Sequence, residues 1–152
     1  MLNHIAIGMT LGAVGAFAML FLVSRLAGWR IARYGERWGV ASLGSLAGLV
    51  VLLLAVVILQ YVTAPIPNMI SRWEEHQADV YGQEAIHGLV ADPQKTAVSA
   101  FQHMGEAGLD DPNPNAFVEF WMYDHPSTQR RASFAAHYDP WVPGGKPKFF
   151  PH

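Results

Sequence analysis

The chain has 152 residues, a formal net charge of −2 and no cysteine. The lack of cysteine excludes disulfides, thiol catalysis and cysteine-ligated zinc, and leaves His, Asp and Glu as the strong metal ligands. Residues 1–64 carry four arginines and one acidic residue, whereas residues 65–152 hold the other eleven acidic residues against six basic ones. Because residues 65–152 are acidic and hold no basic patch interleaved with aromatic residues, nucleic acid is not expected as a partner.

Two apolar runs, at about residues 5–24 and 40–62, have the length that a helix needs to cross a bilayer. Between them, residues 25–38 contain four arginines and three aromatic residues and are expected to form a short connector at the membrane–water interface. A signal peptide is the competing interpretation, but its basic residues should precede the apolar run, and here they follow it. The sequence therefore predicts a transmembrane helical hairpin over residues 1–64 of an integral, multi-pass membrane protein, with the lipid bilayer as a partner.

The rest of the chain predicts an all-α fold: a small domain of three to four helices over residues 65–138 and an irregular tail over residues 139–152. Pro65 and Pro67 should break the chain after the second span. The expected helices begin at about Asn68, at Pro93 after an Asp92 cap, at Ala116 after an Asn115 cap and at Pro126, and they end near Leu89, Gly108, Tyr123 and Tyr138.

The densest cluster of ionisable side chains lies in residues 68–82, directly after the second apolar run. Residues three and four apart share a helix face, so Arg72, Glu75, His76 and Asp79 should line one side of this helix. Two carboxylates one turn apart repel each other unless a cation lies beside them, and either Arg72 or a metal ion would supply that charge. The simpler alternative is a solvated face with an ion-pair ladder, which contributes little stability.

The segment Ser71-Arg72-x-x-Glu75-x-x-Ala78-Asp79 resembles the motif that supplies the third zinc ligand in the CAAX prenyl protease family. These proteins are integral-membrane zinc endopeptidases whose other two ligands come from an earlier His-Glu-x-x-His. The resemblance implies that Glu75 binds zinc and that Asp79, with Arg72 near it, orients the site.

A second segment, His125-Pro126-x-x-x-x-Arg131, also resembles this family, in which it closes the active site. The resemblance implies catalytic roles for His125, near the zinc-bound oxyanion, and for Arg131, which helps to hold the substrate or the glutamate ligand. A histidine at a helix start can donate a hydrogen bond to a developing oxyanion, and an arginine fork suits a carboxylate. The alternative is a capping histidine followed by a surface arginine.

The chain departs from the family because it has no His-Glu-x-x-His, and no two of its seven histidines have that spacing. In the family a short Leu-x-His piece often follows that motif, and Leu2-Asn3-His4 resembles this piece. Two zinc ligands are therefore expected upstream of Met1, or on a separately encoded N-terminal half.

These expectations together describe the C-terminal part of a membrane zinc metalloendopeptidase, inactive by itself, whose complete form binds Zn²⁺ and cleaves a peptide or protein substrate. The alternative is a non-catalytic two-span membrane protein whose acidic helical domain binds a partner. The orientation stays open: the arginine-rich connector favours an acidic domain on the outer side, whereas the resemblance to eukaryotic members implies a catalytic face toward the cytosol.

Overall fold

The computed structural model describes residues 2–150, and it describes the side chains of residues 9–10 and 12–150. As predicted, the described chain is all-α, with six helices and no strand. It divides into two compact units, one up to Thr63 and one from Ala64 onward. The helices are α1 (Leu2–Trp38), α2 (Leu46–Thr63), α3 (Pro65–Ala85), α4 (Pro93–Gly108), α5 (Ala116–Met122) and α6 (Thr128–His137).

The first helix is longer than the sequence predicted. The segment 25–38, expected as a connector, is wholly helical and forms the last part of α1. The prediction rested on arginines and aromatic residues, which indicate an interface but do not break a helix; arginine is in fact a good helix former. The helix ends only at Gly39, whose φ of +68° suits glycine better than any other residue.

The second helix begins at Leu46 rather than at residue 40. The residues before it run back along α1, where the Val40 amide donates to the Gly35 carbonyl at 2.8 Å. Ser45 then caps α2, since its hydroxyl accepts a hydrogen bond from the Gly48 amide at 3.0 Å. Gly48 lies so close to this connection that a Cβ there would be 2.0 Å from the Ser42 carbonyl oxygen.

Two stretches of the described chain are long and apolar enough to cross a membrane, Gly12–Trp38 and Leu46–Thr63. Most of their large apolar side chains are exposed. The buried residues among those described in this unit are few: the apolar Val23, Ala27, Ile31 and Val40, and two glycines, Gly35 and Gly48.

The third helix starts at Pro65, three residues earlier than expected. Pro65 and Pro67 both fall in its first turn, where a helix has no partner for the backbone N–H that proline lacks. The prolines therefore begin α3 instead of delaying it. α3 contacts α4, α5 and α6 and is the helix around which the second unit is arranged.

The remaining helices start at polar caps. Asp92 accepts from the Lys95 amide at 2.8 Å and Asn115 from the Phe117 amide at 2.9 Å, as predicted. The last helix differs, because its cap is Ser127, whose hydroxyl accepts from the Arg130 amide, and neither His125 nor Pro126 is helical. His125 therefore lies in the segment between α5 and α6, where it is free to contact another helix.

Candidate functional site

One face of α3 carries the polar side chains that meet the rest of the second unit. Asn68, Arg72, Glu75 and Asp79 follow one another at spacings of three and four residues, and all four reach toward α5, α6 or the segment between them. His76, predicted for this face, instead packs edge-on against the Phe134 ring at 4.6 Å. It is not part of the site.

Glu75 lies at the centre of the site, between a histidine and an arginine. Its Oε1 is 2.7 Å from His125 Nδ1, and its Oε2 is 2.9 Å from Arg131 Nη1. The Oε2 atom is buried, yet no donor in the described part of the chain is aligned on it well enough to count as a hydrogen bond. The contact with Arg131 is thus an ion pair without hydrogen-bond geometry, and this oxygen keeps its capacity to accept.

Arg131 is fixed by Asp79 rather than by Glu75. Its Nη2 and Nε donate to the two carboxylate oxygens of Asp79 at 2.6 and 3.0 Å, the forked geometry in which arginine binds a carboxylate most strongly. The guanidinium also lies 4.6 Å from the centre of the Phe101 ring, within the range of a cation–π contact. Asp79 is buried. The pair therefore holds one N–H edge of Arg131 against Glu75.

Arg72 does not join this group. Its Nη1 donates to the carbonyls of Glu119, at 3.3 Å, and Tyr123, which belong to the last turn of α5 and the residue after it. A helix end carries partial negative charge on carbonyls that lack partners, and a guanidinium stabilises them. The ion-pair ladder with Glu75 and Asp79 is absent among the described residues, because Arg72 has these carbonyls as partners.

His125 is the most exposed member of the site, with 57% of its side-chain surface accessible. Since a carboxylate can only accept, the short contact with Glu75 requires a proton on Nδ1. Its Nε2 lies 3.4 Å from Asp124 Oδ1, so the doubly protonated ring would be attracted on both sides. More than half of the His125 side-chain surface is therefore open to solvent.

The donor set falls short of a complete zinc site. A catalytic zinc ion takes three protein ligands and keeps a fourth position for water. The described residues contain no group of three His, Asp, Glu or Cys side chains able to hold a metal. Glu75, with its buried and incompletely bonded oxygen, fits the role of one ligand, and the described residues supply no second and third ligand beside it.

Two buried acids of the second unit were not predicted as functional. Glu119, on α5, has an oxygen 3.0 Å from the Ser127 amide and another 3.0 Å from Arg130 Nη2. A sequence signal existed for Glu119, because it is the one charged residue in an otherwise apolar seven-residue helix and must find a partner when buried.

Glu84, on α3, is 2% exposed and holds the C-terminal tail. Its Oε1 accepts from the Tyr138 hydroxyl at 2.5 Å and the Lys148 amide at 2.7 Å, and its Oε2 accepts from the Phe149 and Phe150 amides at 2.7 and 3.1 Å. Burial alone would raise the pKa of Glu84, but these four hydrogen bonds outweigh it, and the pKa lies below its ordinary value. Burial and the contact with Glu84 raise the pKa of Tyr138. No local spacing in the sequence indicates these contacts.

The chain belongs to Peptidase family M48, whose profile matches residues 1–139. This membership confirms the resemblance to the CAAX prenyl proteases. The chain is also similar to a protein of Bacillus subtilis (strain 168) described as the uncharacterized metalloprotease YhfN.

The identity with that protein is 26% over 134 residues, which cover 88% of this chain but only 30% of the relative. No solved structure matches the chain. Family membership places the chain among proteins described as metallopeptidases. The backbone of Leu2-Asn3-His4 forms part of α1, but the side chains of these residues are not among those that the structure describes.

Proposed function

We propose that the chain forms the C-terminal part of a membrane-embedded zinc endopeptidase and supplies Glu75 as one of its zinc ligands. The observation that carries this proposal is the state of the Glu75 carboxylate, which is oriented by His125 and Arg131 but keeps one buried oxygen without an aligned donor. Glu119 also has a buried oxygen without an aligned donor, but its side chain is only 7% exposed, whereas that of Glu75 is 27% exposed and lies beside the exposed His125. An unpaired acceptor that a ligand can reach is the feature expected of a metal-binding carboxylate.

The other side chains take supporting roles. Asp79 fixes Arg131, and Arg131 holds the glutamate in one orientation, as outer partners of metal ligands commonly do. His125 presents its exposed edge to the substrate and, when doubly protonated, donates from Nε2 to a developing oxyanion. When bound, zinc would polarise the scissile carbonyl and acidify a water molecule.

The two imidazoles and the catalytic base are proposed to come from a His-Glu-x-x-His segment that this sequence does not contain. With Glu75 alone the chain binds zinc weakly and has no base, so the 152-residue chain is expected to be inactive by itself. We also propose that α1 and α2 anchor the enzyme in a bilayer, since both contain stretches of sufficient length and apolarity.

The test has two stages. First, the coding DNA upstream of Met1 is read for an in-frame His-Glu-x-x-His. Second, the complete product is purified in detergent, its zinc content is measured by mass spectrometry, and its cleavage of an unstructured protein such as casein is followed.

Glu75→Gln should remove most of the zinc and lower cleavage by more than about 100-fold, since even changes to the outer partners of metal ligands cost 10- to 100-fold. The matched control is Glu74→Gln, which changes the same charge at an exposed neighbouring position. Equal zinc content in both variants would remove Glu75 from the site. A reading frame without the motif, in a product that binds no zinc, would instead favour the non-catalytic two-span protein.

A further inference from the structure

The segment that carries His125 is short and lies between two anchored points. The Tyr123 carbonyl, at one end, accepts from Arg72 of α3. The Ser127 amide, at the other end, donates to Glu119 Oε1 of α5 at 3.0 Å. His125 lies midway, with its Nδ1 2.7 Å from Glu75. The contact between His125 and Glu75 therefore depends on where these two ends are held.

Glu119 takes part in the contacts at both ends of the segment that carries His125. Its side chain binds the Ser127 amide, and its own backbone carbonyl accepts from Arg72 Nη1 at 3.3 Å. Asn68 adds a further link between the helices, since its side-chain amide donates to the Trp121 carbonyl at 2.8 Å. α5 is thus fastened to α3 close to Glu75. In the described part of the chain, the Glu119 carboxylate joins α5 to the start of α6, and α6 itself packs against α4.

Burying the Glu119 carboxylate costs free energy, which indicates that its contacts at this position are important. Glu119 is 5% exposed, and so is Ser127, so the hydrogen bond between them is shielded from water. A buried charge is unfavourable unless it is paired and hydrogen-bonded. The second oxygen of Glu119 is 3.0 Å from Arg130 Nη2, but no aligned donor reaches it in the described portion of the chain. The well-formed bond of the Glu119 side chain is the one to the segment of His125.

We infer that Glu119 is a positioning residue for His125: it fixes the segment between α5 and α6 so that the imidazole meets Glu75. It touches neither the proposed zinc position nor a substrate, and its effect passes through the Ser127 amide. This inference rests on the proposed function for its catalytic consequence, but the position of the His125 ring can be measured without any activity.

The first experiment uses the 152-residue chain in detergent and records the imidazole ¹⁵N shifts of His125 at a pH where the ring is neutral. The wild-type ring should carry its proton on Nδ1, because that nitrogen donates to Glu75. Glu119→Ala should shift the ring toward the Nε2–H form that a free histidine side chain favours. Glu75→Ala gives the shifts of a released ring, and His125→Asn assigns the signal.

Two variants separate positioning from the loss of a charge. Glu119→Gln keeps an oxygen that can accept from the Ser127 amide and should keep the wild-type shifts. Arg130→Lys alters the other contact of Glu119, an ion pair whose arginine is 64% exposed, and should change little. If Glu119→Ala does not fold, Glu119→Asp replaces it, since it keeps the charge but withdraws the oxygen by one methylene group.

The second experiment uses the complete peptidase and a double-mutant cycle. Glu119→Ala should lower kcat by about 10- to 100-fold with unchanged zinc content, the usual loss for an outer partner of a catalytic group. In the His125→Ala background the same change should cost no more than about twofold, because its effect acts through the histidine.

The inference is overturned if Glu119→Ala leaves the His125 shifts unchanged, or if its loss of kcat is equally large in the His125→Ala background. An inactive complete protein with the expected ¹⁵N shifts would contradict the proposed function and leave the positioning of His125 by Glu119 supported.

Discussion

Two glutamates on the same helix, Glu75 and Glu84, show how a structural acid differs from one available for chemistry. Glu84 is 2% exposed, and both of its oxygens are saturated by a tyrosine hydroxyl and three successive backbone amides. Glu75 has 27% of its side chain exposed, its carboxylate is paired with His125 and Arg131, and one of its oxygens lacks an aligned donor among the described residues. Saturated acceptors stabilise a fold, whereas an oriented carboxylate that is partly exposed and unsaturated keeps the capacity to accept a further partner.

The strongest test of this comparison removes each carboxylate in turn. Glu84→Ala should lower the free energy of unfolding by about 3 kcal/mol or more, because several charge-assisted hydrogen bonds are lost together. Glu75→Ala should cost about 1 kcal/mol or less, because Arg131 keeps its forked contact with Asp79. Urea denaturation of the 152-residue chain in detergent measures both, and Glu106→Ala, an exposed acid on α4, is the control. Equal losses for the two glutamates would remove the distinction.

A second prediction concerns the partner that orients Glu75. Asp79→Asn should cost about 2 kcal/mol of unfolding free energy, since a partly buried arginine loses the charge of its main partner but keeps one acceptor. In the complete peptidase it should weaken zinc binding about tenfold, because Arg131 is no longer held in place. Competition with a chelator measures the zinc affinity. Asp92→Asn is a suitable control, since asparagine caps a helix as well as aspartate does.

Much of the second unit follows from local sequence signals. Asp92-Pro93 and Asn115 start helices where predicted, because a cap needs only residues within the same turn. The spacing of Glu75 and Asp79 likewise places them on one face of α3. The contact between Glu75 and His125 joins residues 50 positions apart, and only the family resemblance led to their pairing.

The predictions that differ from the structure concern contacts that local signals do not encode. Arg72 has charged neighbours on its own helix, yet it binds carbonyls of α5, which no pattern in residues 68–82 reveals. The tail was expected to be irregular. Residues 139–150 do lack a helix, and the rings of Phe149 and Phe150 lie near Tyr81, but Glu84 also binds their backbone amides. Contacts with backbone groups that are distant in sequence cannot be recognised from composition or local spacing.

A smaller effect is expected at Tyr138, which supplies one of the four hydrogen bonds of Glu84. Tyr138→Phe should cost about 1.5 kcal/mol, the lower end for a hydrogen bond to a charged group. The raised pKa of Tyr138 also predicts that its phenol ionises at higher pH than an ordinary tyrosine side chain. Glu84→Gln should lower that pKa by removing the negative charge, and absorbance at alkaline pH measures both. An unchanged titration in Glu84→Gln would contradict the assigned cause.

The smallest expected effect is the pH dependence that Glu84 adds to stability. Its hydrogen bonds hold the pKa of Glu84 in the folded chain below the ordinary value of 4.5, despite burial. The folded state therefore binds its proton less readily than the unfolded state, so this contribution is fully present above pH 4.5 and is lost as the pH falls through the folded pKa.

Glu84→Gln should accordingly have a lower free energy of unfolding at pH 7 and a shallower decline between pH 5 and pH 3. Glu74→Gln, at an exposed position, should decline in parallel with the wild type. Urea midpoints at several pH values give both slopes. If Glu84→Gln declined as steeply as the wild type, the acid sensitivity would belong to other carboxylates, and the saturation of Glu84 would not explain its stabilising role.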